Sequence, residues 1–292
     1  MSIHIIRRDE LTSDGLASLQ RELLEYYSNP PDSYYQIANK AADTYRPDLM
    51  PFHCDLTTRV TPGMNVLELG CGSAHLCPHV ESAGGRYIGM DFSADLLASN
   101  TERFPQSRFY QAEAELIEEF DLVASLYTIE HVVDPPGYLE RMWGFCKPGG
   151  LLAVICPEFI DCDSFPPCFY FGASPRRFRE KLLSMALLDA FRHGLDLLWN
   201  APRWKARARS APPGAFWINT RPSELNGQVH GIDTDAVHLP RRRDIEWWFQ
   251  QRGAEIVATS NTLPGVPAEV LQYNCYVLAE KPVNLGSNSH LQ

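Results

Sequence analysis

Between Val66 and His75 the chain reads Val-Leu-Glu-Leu-Gly-Cys-Gly-Ser-Ala-His, a strand-length apolar run that ends in two glycines one residue apart. A buried strand that stops so abruptly needs unusual backbone freedom. Glycine supplies it and also lets a ligand approach the main chain. Similar short apolar runs recur at 64–69, 87–90, 108–111, 122–126 and 151–156, with helical patterns at about 75–83, 94–104 and 135–146 between them. Strand–helix alternation of this kind means βαβ units and a parallel sheet covered on both faces. The alternation stops at Pro157 and resumes after His238 with a helix at 241–251, a Gly253 stop, and strands at 256–260 and 273–280. The expected fold is therefore α/β: a seven-stranded, mostly parallel sheet with a large insertion between strands 5 and 6.

Around this core, residues 1–60 read as an N-terminal helical cap. Leu16, Leu19, Leu23 and Leu24 recur at helical spacing, Asn29-Pro30-Pro31-Asp32 breaks the chain, and a second helical stretch carries Tyr34, Tyr35, Ile37 and Ala38. The division is 1–60 cap, 61–157 and 238–282 core, 158–237 inserted lid or substrate region, and 283–292 polar flexible tail. In the insertion Phe178, Leu182, Met185, Leu188, Phe191, Leu195 and Leu198 form a stripe that predicts one long amphipathic helix. Such a stripe is expected to pack on the sheet domain or on a partner subunit, giving a homodimer. A lid over substrate and a peripheral membrane-surface helix are the next readings. Residues 211–238, rich in Pro, Gly and aromatics, read as an ordered loop.

Charge narrows the partners. The net charge of −10 argues against a general nucleic-acid binder, although Arg176–Arg209 carries nine basic residues against three acidic ones. No apolar run reaches the ~18 residues of a membrane span. The start, MSIHIIRRDELTS, lacks the apolar core of a secretory signal, so eight reduced cysteines in a cytoplasmic protein are expected. No metal is expected. His75 and His79 adjoin the glycine turn, and Cys156, Cys162 and Cys168, spaced by six, do not match a zinc pattern.

The glycine turn is neither a dinucleotide fingerprint, because His75 stands where a small residue is needed, nor a Walker loop, because no Gly-Lys-Ser/Thr follows. It fits Glu-x-Gly-x-Gly. Asp91 ends the next strand, 21 residues beyond Gly70, where a carboxylate can accept both hydroxyls of a ribose. Ser93 is placed to cap the following helix. With Phe109–Glu115, Phe120–His131 and Lys147–Pro157 following in order, the chain resembles the class I S-adenosylmethionine-dependent methyltransferases. Its pattern is that of the small-molecule type of ubiquinone and menaquinone biosynthesis. The resemblance covers roughly 62–157 and 238–281 and implies a Rossmann-like sheet. It implies S-adenosylmethionine as cofactor, with S-adenosylhomocysteine as product. Glu68, Gly70, Cys71 and Gly72 would lie under the methionine and ribose, Asp91 would hold the diol and Phe92 would pack on adenine. Glu113 and Ala114 would meet the adenine edge, and Ser125 and Leu126 would offer carbonyls to the ammonium. His131 would sit near the methyl donor. The chain departs from the family at Ala74, in place of a third glycine, and at Glu113, in place of Asp.

Methyl transfer from a sulfonium needs alignment, exclusion of water and, for a protonated acceptor, a base. His131 and His238 are the candidate catalytic residues, and Tyr34, Tyr35 and Tyr127 the candidate substrate contacts. The expected function is methyl transfer to a small-molecule acceptor. The alternatives are an RNA or protein methyltransferase using the basic 176–209 segment, or a cofactor-binding member that does not methylate.

Overall fold

The computed structural model describes residues 4–28, 30–36, 50–227 and 231–283. The central sheet has seven strands in the order β4-β3-β2-β5-β6-β10-β9. They are β2 (Asn65–Leu69), β3 (Arg86–Asp91), β4 (Arg108–Gln111), β5 (Phe120–Leu126), β6 (Cys146–Pro157), β9 (Glu255–Thr259) and β10 (Asn274–Glu280). The first five run parallel, and β10 is antiparallel to both its neighbours. Residues of β2 alternate between two cores. Leu67 and Leu69 face α5 (Pro135–Phe145) and α9 (Arg242–Gln250), whereas Val66 faces α2 (Pro51–Thr58), α3 (Cys77–Ser82) and α4 (Ala94–Arg103). This is the period-2 pattern of a sheet buried on both faces, and each fully buried Leu or Ile there contributes about 1.5–3 kcal/mol. Ser93 does cap α4, its hydroxyl accepting the Leu96 N–H at 3.3 Å.

The chain passes outward from β2 to β3 and β4, then returns to place β5 on the other side of β2. The strand order reverses there, and the carboxyl ends of β2 and β5 diverge to leave a crevice of the kind that binds ligands in open α/β sheets.

Three features differ from the sequence expectation. First, residues 5–7 are not part of a helical cap but form strand β1 (Ile5–Arg7). It pairs antiparallel with β7 (Trp217–Asn219), which in turn pairs with β8 (His238–Leu239), giving a second, three-stranded sheet. Second, β7 lies inside the stretch expected to be loop; it is a short strand, and only its distant partners identify it. Third, the amphipathic stripe is not one helix. It is α6 (Phe178–Leu183), α7 (Leu187–Leu195), a π-helical turn Asp196–Asn200 and α8 (Ala201–Ser210). The break is a Schellman turn. Met185 sits at φ +57°, its N–H donates to Leu182 O, and the Ala186 N–H donates to Lys181 O. Glycine or asparagine usually marks such a stop, so the sequence carried no sign of it.

Helix α1 (Ser13–Ser28) buries Leu19 and Leu23 against Val133, Ile218 and Val237. The small sheet thus holds α1 over the crevice. Helical residues 32–36 continue this side and a short helix α10 (Ala268–Tyr273) precedes β10. Ile37, Ala38 and residues 284–292 of the expected tail lie outside the described residues.

Candidate active site

A cavity of about 980 Å³ opens at the carboxyl ends of β2, β3 and β5, the upper end of the ~300–1,000 Å³ range of small-molecule sites. Its sheet-side wall is the glycine turn. The N–H groups of Gly70 and Cys71 both donate to Met90 O, at 2.8 and 2.9 Å, tying the turn to β3. Gly70 has φ +73°, and a Cβ there would meet the Thr128 side chain at 2.1 Å. Thr128 instead donates its hydroxyl to Gly70 O at 3.1 Å. Gly72 has φ +49° and faces open space. Asp91 Oδ2 accepts the Gly72 N–H at 2.8 Å and Oδ1 accepts the Ser93 N–H at 2.9 Å. Each oxygen keeps a lone pair for a further donor. Burial lifts the Asp91 pKa, while the N–H groups of Ser93, Gly72 and Phe92 oppose the rise. The Phe92 ring is half exposed at the rim. Glu68 is buried, takes a 2.5 Å hydrogen bond from the Tyr87 hydroxyl, and is pushed by burial up to about 8. Tyr138 reaches across from α5 and donates to Leu69 O or Ser125 Oγ, at 2.9 and 3.0 Å.

These residues fit S-adenosylmethionine. A carboxylate with spare acceptor capacity, an aromatic ring at the rim and an open glycine cradle lie within one cavity.

The opposite wall is acidic and aromatic. Glu130 is fully buried and, among the described residues, neither carboxylate oxygen has a hydrogen-bond partner. His131 Nε2 lies 3.8 Å from Glu130 Oε1. His131 Nδ1 lies 3.5 Å from Asp235 Oδ2. Asp235 in turn accepts the Tyr27 hydroxyl at 2.7 Å, and the Tyr27 ring stands edge-on to the imidazole. Asp233, at φ +58°, completes the group. Burial acts to lower the His131 pKa, but Asp235, Glu130 and Asp233 outweigh it and the pKa is raised. Burial, with Asp233 and Asp235 adding to it, pushes Glu130 up to about 8 against the pull of His131. One ligand atom from each of Glu130, His131 and Asp233 lies within 4.8 Å of the other two, a donor set that a divalent cation can also take.

Of the residues singled out from sequence, Glu68, Gly70, Cys71, Gly72, Asp91, Phe92, Leu126, Tyr127, His131 and Tyr34 line this cavity. Tyr127 does so from a left-handed backbone, φ +51°. Ser125 is buried behind it. Glu113 and Ala114 lie outside the lining, where Ala112 stands instead. Tyr35 turns away, its hydroxyl 3.4 Å from Asp95 Oδ2. Ala74 does not narrow the cavity, since its methyl is buried in the core at φ +54°. His238 is the main correction. It is buried on β8 beside Phe216, with Nδ1 3.1 Å from Ile129 O, and burial drops its pKa to about 3. It does not face the cavity, so its geometry suits holding the Ile129–His131 turn rather than acid–base work.

Sequence reasoning missed Tyr27, Glu130, Asp233 and Asp235. The available signals were an acid flanked by apolar residues in Ile129-Glu130-His131-Val132-Val133 and the paired acids of Asp233-Thr234-Asp235.

Comparison with known proteins bears on the family and the fold. A family model described as a methyltransferase domain matches residues 45–259. A ubiquinone biosynthesis O-methyltransferase of Bradyrhizobium sp. (strain ORS 278) is 33% identical over 99 residues, covering 32% of this chain and 39% of its own. A trans-aconitate 2-methyltransferase of Deinococcus radiodurans is 33% identical over 139 residues, covering 45% of this chain and 50% of its own. The chain thus spans between about two fifths and one half of the length of these curated relatives. Among solved structures, an S-adenosylmethionine-dependent methyltransferase from Mesorhizobium loti superposes with a TM-score of 0.52 at 15% identity, covering 81% of this chain and 100% of its own. One from Clostridium acetobutylicum gives 0.51 at 11% identity, covering 86% and 100%. At these identities the two structures show the fold alone. The family match spans most of the chain and includes both the glycine turn and the acid at the end of β3: the chain belongs to the class I S-adenosylmethionine-dependent methyltransferases.

Proposed function

We propose that this chain transfers the methyl group of S-adenosylmethionine to a small-molecule acceptor held between the glycine turn and α1. The observation that carries the proposal is the pairing, across one cavity, of the Gly70–Gly72 and Asp91 wall with an imidazole set among three carboxyl groups. When bound, the sulfonium supplies a methyl group that is already activated, so the protein's share is alignment, exclusion of water and care of the acceptor's proton. Asp91 would hold the ribose hydroxyls and Phe92 would cover the adenine side. Tyr27, Tyr34, Leu23 and Leu24 shield the acceptor side from water. His131 in its neutral form would take the proton of an acceptor hydroxyl or amine. Asp235 orients the ring, and the surrounding carboxyl groups stabilise the imidazolium that forms. Burial favours the protonated form of Glu130, which lines the cavity beside His131.

The names of the two relatives support a small acceptor. So does the lining, to which the basic 176–209 segment contributes no residue. The test is calorimetric titration with S-adenosylmethionine and S-adenosylhomocysteine, followed by a screen of metabolites for uptake of labelled methyl. Asp91→Ala and Gly72→Val should each abolish measurable cofactor binding, because one removes the diol acceptor and the other fills the cradle. Undiminished affinity in both variants overturns the cofactor assignment.

A further inference from the structure

Residues 178–199 are folded inside out. Of the eighteen exposed large apolar side chains among the described residues, eleven fall in these twenty-two positions, from Phe178 to Trp199. Leu183, Met185, Leu188 and Leu198 are each about three quarters exposed. Two of the three side chains buried there are charged, Lys181 and Asp196. The polar side is what anchors the segment. Lys181 Nζ donates to Phe171 O and lies 3.3 Å from Asp189 Oδ1. Asp189 also accepts the Ala173 N–H and the Ser174 hydroxyl. Asp196 accepts the Gly172 N–H at 2.8 Å and the Asn200 side-chain amide at 2.7 Å. A Cβ at Gly172 would lie 2.3 Å from Asp189, so the loop closes tightly on the hairpin. The contacts therefore hold α6 and α7 by their polar residues and leave the leucines outward. Ordinary soluble helices do the reverse.

An apolar surface of this kind marks an interaction site, and its rim identifies the partner. Arg176, Arg177, Arg179 and Arg192 are exposed and form no ion pair among the described residues, and Arg203 stacks on Trp199. Packing against a second copy through this patch would be isologous and would set arginines against arginines. A surface of anionic headgroups complements both features: leucines and Trp199 enter the acyl boundary while arginines meet phosphates. The rest of the chain carries the negative balance, so only this end would approach such a surface. No helix among the described residues is long and apolar enough to cross a membrane, which makes the contact one of lying on the bilayer.

We propose that the α6–α7 hairpin and the following π-helical turn dock this methyltransferase on the surface of an anionic lipid bilayer. The test is sedimentation of the full chain with vesicles of phosphatidylcholine alone and of phosphatidylcholine mixed with phosphatidylglycerol. Two triple variants serve as probes: Leu183→Ser/Leu188→Ser/Leu198→Ser and Arg176→Gln/Arg177→Gln/Arg192→Gln. All six positions are exposed, so circular dichroism should match the parent. The parent should bind the mixed vesicles, and more weakly with added salt. The arginine variant should lose about a hundredfold in affinity, near fivefold per charge. The leucine variant should not sediment. A parent that ignores both vesicle types, or binding that survives both variants, overturns the proposal. A dimer in sedimentation velocity that the leucine variant dissociates, with no vesicle binding, overturns it in favour of self-association.

Discussion

On the glycine-turn side of the cavity the fixing contacts stay within the sheet domain, and the longest described, Tyr138 to Leu69, spans 69 residues. Asp91 holds Ser93 two residues on and Gly72 nineteen residues back. On the opposite side they join segments far apart in the chain. Tyr27 reaches Asp235 across 208 residues, and His238 reaches Ile129 across 109. One wall is a turn built within the sheet domain and held by Thr128 and Tyr138 from the neighbouring segments. The other exists only after the N-terminal segment, the insertion and β8 have assembled. The contrast teaches where tolerance lies. The first wall is intolerant of backbone change, whereas at the second the loss of the His131 side chain should spare the fold and cost chemistry, and only its long-range ties should matter for stability.

The largest effect is expected at Gly70. An alanine there takes a φ of +73° and drives its methyl into Thr128, 2.1 Å away. Left-handed strain of roughly 1–2 kcal/mol adds to about 1–3 kcal/mol of overpacking. Gly70→Ala should therefore lower the thermal midpoint by several degrees and abolish cofactor binding in calorimetry. Adding Thr128→Ala should recover part of the stability. An unchanged midpoint would show that the turn is not the rigid element described here.

Across the cavity, His131→Ala should leave the midpoint and cofactor affinity nearly unchanged and lower kcat by about 10²–10⁴-fold, the usual range for a general base. A variant that loses affinity for S-adenosylmethionine but keeps kcat would reassign His131 to cofactor binding.

This contrast also explains how much was legible in advance. The strand and helix segments of the sheet follow from periodicity, and the glycine turn and Asp91 from residue chemistry, which are local; the Glu68 and Leu126 positions come from the family resemblance. His131 stood out by position, but its partners did not, because Asp233, Asp235 and Tyr27 become neighbours only through the three-stranded sheet. His238 looked reactive in sequence for the same reason: nothing local reveals that Phe216 and Ile129 enclose it. The hairpin was misjudged because its stripe was read as core, whereas the buried anchors Lys181 and Asp196 sit on the other side.

An intermediate effect is expected in the pH profile. The base works when neutral, so kcat/KM should rise with pH through the titration of the coupled Glu130–His131 pair. Both members are raised, Glu130 to about 8, and the acid limb should therefore fall above the ordinary histidine value of 6.5. Asp235→Asn removes a carboxylate that favours the imidazolium, and the limb should shift to lower pH. A limb unmoved by Asp235→Asn would break the link between the two residues.

The smallest effect sharpens the comparison most. Tyr27 is the tie between α1 and the acidic wall, its phenol kept protonated by burial and by Asp235. Tyr27→Phe removes one hydrogen bond to a carboxylate and changes little else in shape. A loss of about 1.5–3 kcal/mol is expected from denaturant unfolding. Tyr27 makes no hydrogen bond to the glycine turn among the described residues, so cofactor affinity should change by no more than about twofold. If stability falls while affinity holds, the two walls are separate structural units, and acceptor specificity can change without cost to the cofactor site. A joint fall would mean that α1 and the glycine turn close as one body, and that cofactor binding itself orders the acceptor wall.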